Sequence, residues 1–306
     1  MRERPWLAFR LVRRAPGWDP KGSRNYTSDA VFSAGFRVPE LPEVEAVARE
    51  VRSALLRSSI IDVHVRRWDV VTGAARRRER LLLGSGVREV LRRGKQLALC
   101  GHDDAVIVVQ LGMTGAFGIV AASAPIEPHT HVTWRLDRSR ELRFVDPRRF
   151  GGITWLKDRH ELVDRWSRLG PDALDLHGDW SARIAASRRA IKAALLDQHA
   201  VAGVGNIYAD EALALAGIKP QRACTRVARH EFDALGHAIG SIMRSAIAGG
   251  GSTIRTYRRL SGETGAFQAS LRVYGRAGEP CRVCSRTLQS ELVAGRTTVW
   301  CDACQC

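Results

Sequence analysis

Four cysteines in the pattern Cys281-x2-Cys284-x16-Cys301-x2-Cys304 limit what the end of this chain can become. Two Cys-x2-Cys knuckles at that separation can close a tetrahedral thiolate cage around zinc, with the residues between them forming a hairpin. Four sulfurs leave no open coordination position, so one such ion builds a fold and activates no water. The chain holds seven cysteines, five of them from residue 281 onward. An odd number clustered in this way argues for metal rather than a disulfide framework. Cys100, Cys224 and Cys306 lack partners at metal spacing and read as bystanders, while Arg282, Arg286 and Arg296 make the finger basic.

The basic character extends through the whole sequence. Lys and Arg number 48 against 32 Asp and Glu, a formal charge of +16 over 306 residues. A surplus of that size is the footprint of a polyanion binder, because each neutralised phosphate releases counterions whatever the base sequence. No basic amphipathic helix with a bulky apolar face favours a membrane surface instead. No apolar run approaches the roughly 18 residues that cross a bilayer, and the first residues lack the apolar block of a secretory signal. The expectation is a cytosolic protein without a membrane partner.

Along the chain, residues 1–38 show no sustained period and read as an unstructured or extraneous extension. From Pro42 the pattern changes: Val44, Val47, Val51 and Leu55 mark one buried stripe of a helix, with Glu43 and Glu45 at its positive end. Then come short β-rich runs, IIDVHV, QLALC, AVIVVQLG, HVTWRL, ELRFVD and GGITWL, which predict an antiparallel sandwich or barrel. LGPDALD at 169–175 reads as a linker. IKAALLDQ, NIYADEALALAG and HEFDALGHAIGSIMRSAIAGG read as helices, the second closed by the glycine and proline of GIKP.

Other motifs are short. In AVAGVGNIYADEALALAG, Gly203 and Gly205 are no dinucleotide fingerprint, since Tyr208 occupies the third glycine position. The stretch reads as a glycine turn feeding a helix capped by Asn206, whose free N–H groups and amide can hold a phosphate; the plainer reading is a cap alone. Lys95 in RRGKQL reads alone as a strand-edge lysine, and Met113 in GMTG sits in a turn that buries a side chain poorly. DPRRFGG at 146–152 is a turn with two arginines and an aromatic.

In order along the chain, PELPEVE, RRGK, LGMTG, DPRRFGG, LLDQ, VAGVGNIYADEAL, GGST, VYGRAGEPCRVC and CDAC resemble the formamidopyrimidine-DNA glycosylase and endonuclease VIII family of base-excision repair enzymes. The resemblance spans 39–306, and PELPEVE points to the formamidopyrimidine branch. It implies an α+β, multi-domain chain. An N-terminal antiparallel β-sandwich with its helix fills 39–168, a helix-two-turn-helix domain with a lesion-capping loop 169–270, and a β-hairpin zinc finger 271–306. It further implies a monomeric glycosylase and apurinic/apyrimidinic lyase acting on oxidised purines in damaged double-stranded DNA, without a small-molecule cofactor. Pro39 would be the nucleophile and Glu40 the general acid/base. Lys95 would move protons in β-elimination, and Arg296 would serve δ-elimination. Met113, Arg148 and Phe150 would fill the gap left by the flipped base, and His129, Arg188 and Asn206 would contact DNA. The loop within 250–275 would close over the flipped purine. Two alternatives stay open: an endonuclease VIII-like enzyme for oxidised pyrimidines, and a non-catalytic binder of damaged DNA.

Three departures from the family pattern stand out. Gln110 replaces a histidine expected before LGM, and Ala266 stands where an aromatic residue is common. Above all, Val38 precedes Pro39, and a proline nitrogen inside an amide is no nucleophile. The expectation is that Val38 is a GTG initiation codon read as methionine, with residues 1–37 lying upstream of the true start; cleavage after Val38 and a retained extension are the alternatives.

Overall fold

The computed structural model describes residues 39–56, 58–72, 81–84, 86–252 and 267–306. The expectations for residues 1–38, for Ala266 and for most of the 250–275 loop lie outside the described residues. Helix α1 (Leu41–Leu55) buries Val44, Val47, Val51 and Leu55, as their spacing requires. Pro42 sits in its first turn, where a missing N–H leaves nothing unpaired. The Glu43 carboxylate accepts the Glu40 N–H at 3.0 Å.

The strands of the N-terminal half are β1 (Ile60–Val65), β2 (Val71–Thr72), β3 (Val87–Arg93), β4 (Gln96–Gly101), β5 (Val106–Gln110), β6 (Ala116–Ala121), β7 (Thr130–Leu136), β8 (Arg140–Val145) and β9 (Gly152–Leu156). One sheet runs β1-β7-β8-β6 and the other β2-β9-β5-β4-β3. The antiparallel expectation holds except at one edge, where two-residue β2 lies parallel to β9 through Val71–Ile153 and Thr72–Thr154. Val63, Trp134 and Phe144 of the first sheet share one core with Leu99, Ile107 and Ile153 of the second. Helix α2 (Arg159–Ser167) covers the outer face of β4 and β5, setting Leu162 and Trp166 on Ala98, Cys100, Val106 and Val108. Buried on both faces, those two strands read as continuous apolar runs rather than alternating ones.

The helical half holds α3 (Ala182–Ala185), α4 (Ile191–Leu195), α5 (Asn206–Ala216) and α6 (Arg229–Ala248). Gly217 ends α5 at φ 71°, the left-handed conformation expected of a glycine there. The finger is a hairpin of β10 (Gln289–Val293) and β11 (Arg296–Trp300). Residues 169–175 connect the halves and are firmly pinned. The Asp172 carboxylate accepts from Arg92 Nη1 at 2.7 Å and from Gly94 N at 2.8 Å, while Arg92 Nε reaches Glu45 at 2.8 Å. One guanidinium thus ties α1, the β3–β4 turn and the connector together.

Candidate active site

Glu40 comes from the entry to α1, but its side chain belongs to α5. Its carboxylate accepts the backbone N–H groups of Gly205 at 2.8 Å, Ile207 at 2.8 Å and Tyr208 at 3.3 Å. The two glycines of the AGVGN stretch permit this approach. A Cβ on Gly205 would lie 2.4 Å from Glu40 Cδ, and one on Gly203, at φ 108°, would strike Leu41. The sequence-based reading of this helix start is corrected here. Gly205, not Asn206, is the N-cap residue, and the orphan N–H groups expected to hold a phosphate hold the Glu40 carboxylate instead. Asn206 is the first helical residue, and its Nδ2 donates to Thr297 O at 3.1 Å in the finger.

Burial pushes the Glu40 carboxyl up to about 7; Lys95 acts against that rise, the neighbouring Glu43 adds to it, and the Ile207 and Tyr208 N–H groups hold it down. Glu43 is fully buried and raised for the same first reason. It accepts from Tyr208 Oη at 2.7 Å and from Ser252 N at 2.9 Å. Because the folded pKa of Glu40 lies above its unfolded value, the folded protein holds this proton more tightly. The associated stability is complete below about pH 4.5 and lost as pH rises through 7. We expect urea-unfolding stability to fall between pH 5 and 8, and Glu40→Gln to remove about 3 kcal/mol of that fall. An unchanged slope in the variant would contradict this account of the site.

Lys95 lies in the β3–β4 turn, half-buried rather than solvated at a strand edge. Gly94, at φ 53°, lets that turn settle on the 202–203 segment, where a Cβ would meet Ala202 at 3.0 Å. Burial lowers the Lys95 ammonium, Glu40 and Glu43 oppose this, and Arg296 adds to it. Arg296 opens β11, and the residues after it are anchored from below: Lys192 Nζ donates to Thr298 Oγ1 at 2.7 Å and pairs with Asp210 at 2.6 Å, both side chains wholly buried. Pro39, itself buried, directly precedes Glu40. Pro39, Glu40, Lys95, Asn206 and Arg296 therefore come from four distant stretches to one centre.

A second group gathers on the turns at 112–114 and 146–151. The Arg148 guanidinium lies 4.5 Å from the centroid of the Phe150 ring, which is 56% exposed, and Met113 is half-buried in the neighbouring turn. Their alignment depends on Asp146, which sequence reading passed over. This buried carboxylate accepts from Thr114 Oγ1, from Arg148 N at 3.3 Å and from Gly151 N at 2.7 Å. The available signal was an aspartate opening a Pro-containing turn, the usual partner of nearby backbone N–H groups. Lys192, Asp210 and Tyr208 were likewise read as helix content alone. His129 is exposed just before β7 and accepts the Asp146 N–H at 3.1 Å, Gln110 is exposed at the end of β5, and Arg188 is exposed ahead of α4.

The four finger cysteines meet the requirement for zinc: Cys281, Cys284, Cys301 and Cys304 place their sulfurs within 4.8 Å of one another. A tetrahedron with Zn–S bonds of about 2.3 Å has edges of about 3.8 Å, so the cage closes without rearranging the hairpin. Cys306 is not among them.

Beside known proteins, this arrangement of sandwich, glycine-fed helix and thiolate finger is that of the zinc-finger DNA glycosylases. Three family profiles match in order: the formamidopyrimidine-DNA glycosylase N-terminal domain over residues 38–153, its H2TH domain over 169–258, and the zinc finger found in FPG and IleRS over 278–305. A formamidopyrimidine-DNA glycosylase of Xanthomonas campestris is 40% identical over 273 residues, 88% of this chain and 100% of the relative. Lactococcus lactis Fpg bound to abasic-site DNA superposes with a TM-score of 0.80 at 35% identity, covering 87% of this chain and 99% of that one. The same protein bound to Fapy-dG DNA gives 0.79 at 33%, with the same coverage. The chain belongs to the formamidopyrimidine-DNA glycosylase family.

Proposed function

We propose that this protein excises oxidised purines, chiefly 8-oxoguanine and ring-opened formamidopyrimidines, from duplex DNA and then cuts the strand as an apurinic/apyrimidinic lyase, working as a monomer in the bacterial cytosol. The observation that carries this reading is the Glu40 carboxyl held at the α5 N-terminus directly after Pro39, with Lys95 and Arg296 converging on the same point. In this reading the Pro39 amine attacks the sugar C1′ as the damaged base leaves, and the resulting iminium is a fixed cation that draws electrons from the sugar during elimination. A carboxyl with a pKa of about 7 can both give and take a proton near neutral pH, which suits Glu40 to acid/base work at the sugar. The lowered pKa of Lys95 raises its neutral fraction for proton abstraction. Met113, Arg148 and Phe150 fill the vacated stack, offsetting part of the few kcal/mol that base extrusion costs. His129, Arg188 and Asn206 contact the DNA backbone. The amine is free when Val38 is the initiator codon and its methionine is removed; a family match starting at residue 38 supports this start.

The reading is tested by incision rates on duplexes carrying one 8-oxoguanine or one thymine glycol. Faster incision at 8-oxoguanine is expected. A clear preference for thymine glycol would move the chain to the pyrimidine-directed branch, and lesion binding without any nick would make it a non-catalytic binder.

A further inference from the structure

Between the 173–180 segment and helix α6 lies a pocket of about 300 Å³ that shares no residue with the Glu40 centre or with the turns around Arg148. Its walls are of two kinds. Leu174 and Leu176 line one side, half-buried and packed on the main core. Trp180 and Arg244 supply hydrogen-bond donors. Trp180 is only 6% exposed and meets Phe232 edge to face, with ring centroids 6.0 Å apart, yet its indole N–H has no partner among the described residues. Arg244 likewise has no ion pair or hydrogen bond among them. Most buried donors in folded proteins are satisfied, so an unpartnered indole N–H beside an unpaired guanidinium in one pocket calls for an acceptor from outside.

The helix is shaped to seat both groups. Gly236 and Gly240 stand one turn apart within α6, although glycine is a poor residue in a helix interior. A Cβ on Gly236 would lie 2.7 Å from Trp180 Nε1, and one on Gly240 would lie 3.0 Å from Arg244 Nη2. The glycines thus give up helix propensity and let the indole nitrogen and the guanidinium settle against bare backbone. Arg244 reaches Gly240 because a helical side chain leans toward the turn before it. Asp233, the one carboxylate lining the pocket, faces Arg229 at 3.7 Å and forms no ion pair with Arg244. His237 Nδ1 donates to Asp233 O at 2.8 Å, which leaves its Nε2 open to a further partner.

We propose that this pocket binds a small organic anion with an apolar body, its carboxylate or phosphate taken by Arg244 and the Trp180 N–H and its body laid against Leu174 and Leu176. The site is independent of the repair reading. A guanidinium and a fixed N–H select the anionic end, while the leucines reward an apolar body that an inorganic ion lacks. The volume lies at the lower end of small-molecule pockets, which keeps the body small.

Isothermal titration of the full chain with 2-naphthoate tests the assignment. The unmodified protein is expected to bind with Kd below about 1 mM, a modest value for a ligand of this size. Arg244→Ala, at an exposed position that leaves folding unaffected, is expected to weaken binding about 10- to 100-fold, the effect of losing a hydrogen bond to a charged group. Trp180→Phe keeps an aromatic ring against Phe232, removes the N–H, and is expected to weaken binding about 5-fold. Neutral 2-naphthylmethanol should bind weakly and should not respond to Arg244→Ala. Deoxyguanosine monophosphate separates the two sources of anion: binding tighter than 2-naphthoate and lost in the same variants assigns the site to nucleotides, and weaker binding assigns it to carboxylates. No 2-naphthoate binding below about 1 mM, equal binding by the Arg244→Ala variant, or inorganic phosphate binding as tightly as 2-naphthoate would overturn the proposal.

Discussion

A chain begun at the Val38 codon, and therefore exposing the Pro39 amine after methionine removal, is expected to form a borohydride-trapped adduct with abasic-site DNA. The full 306-residue chain, with Pro39 inside a peptide bond, is expected to form none. The difference is all or none because amide resonance removes the nitrogen lone pair that must attack C1′. Freed, an α-amino group with a pKa near 8 is about one-tenth neutral at pH 7, whereas a lysine near 10.4 is neutral in fewer than about one molecule in a thousand. Mass spectrometry of the adduct decides the matter. An adduct that still carries Met1 would end the assignment of Pro39 as nucleophile.

Replacing Cys301 by serine, or stripping the zinc with a chelator, is expected to abolish strand incision by at least about 100-fold. The finger has little else to hold it, with a buried cluster limited to Val273, Cys281, Leu288, Val299 and Cys301. A two-stranded hairpin is marginal alone, whereas zinc binding by such fingers is worth roughly 10–16 kcal/mol. The loss would not stay local. Thr297 accepts from Asn206 and Lys192, and Val299 N donates to Asp210, so the hairpin that carries Arg296 is stitched to α4 and α5. The expected result is incision lost in proportion to zinc content, read by metal analysis and gel assay, while the sandwich keeps its near-ultraviolet signal from Trp134. Wild-type incision by a zinc-free variant would remove the finger from the mechanism.

What could be read from the chain follows the distance over which each feature is decided. The metal cage was legible because both knuckles fit within 24 residues and their chemistry allows few alternatives. The α1 stripe and the helices α5 and α6 were legible because burial on one face imposes a period. β3 is hard to read because a bulge between Val87 and Glu89 breaks its alternation, and one of its arginines, Arg92, normally a sign of exposure, is paired with Asp172 and Glu45. β6 is an edge strand interrupted by Gly118, and α2 shows only Leu162 and Trp166 on its buried side. The site was hardest. Nothing near Gly205 announces that its N–H group will meet a carboxylate 165 positions earlier, and nothing near Asp146 announces that it will align two turns. The family resemblance names candidate residues, but their partners emerge with the topology.

The contact between Glu40 and α5 also sets a schedule. During synthesis Glu40 leaves the ribosome well before the helix that seats it, which follows 165 residues later, a delay on the order of 10–30 s at bacterial rates. Throughout that interval the sandwich can assemble, yet its carboxylate has no N–H groups to receive it. No truncated product holds a finished centre. The seat of the Glu40 carboxylate therefore exists only once α5 has emerged and folded.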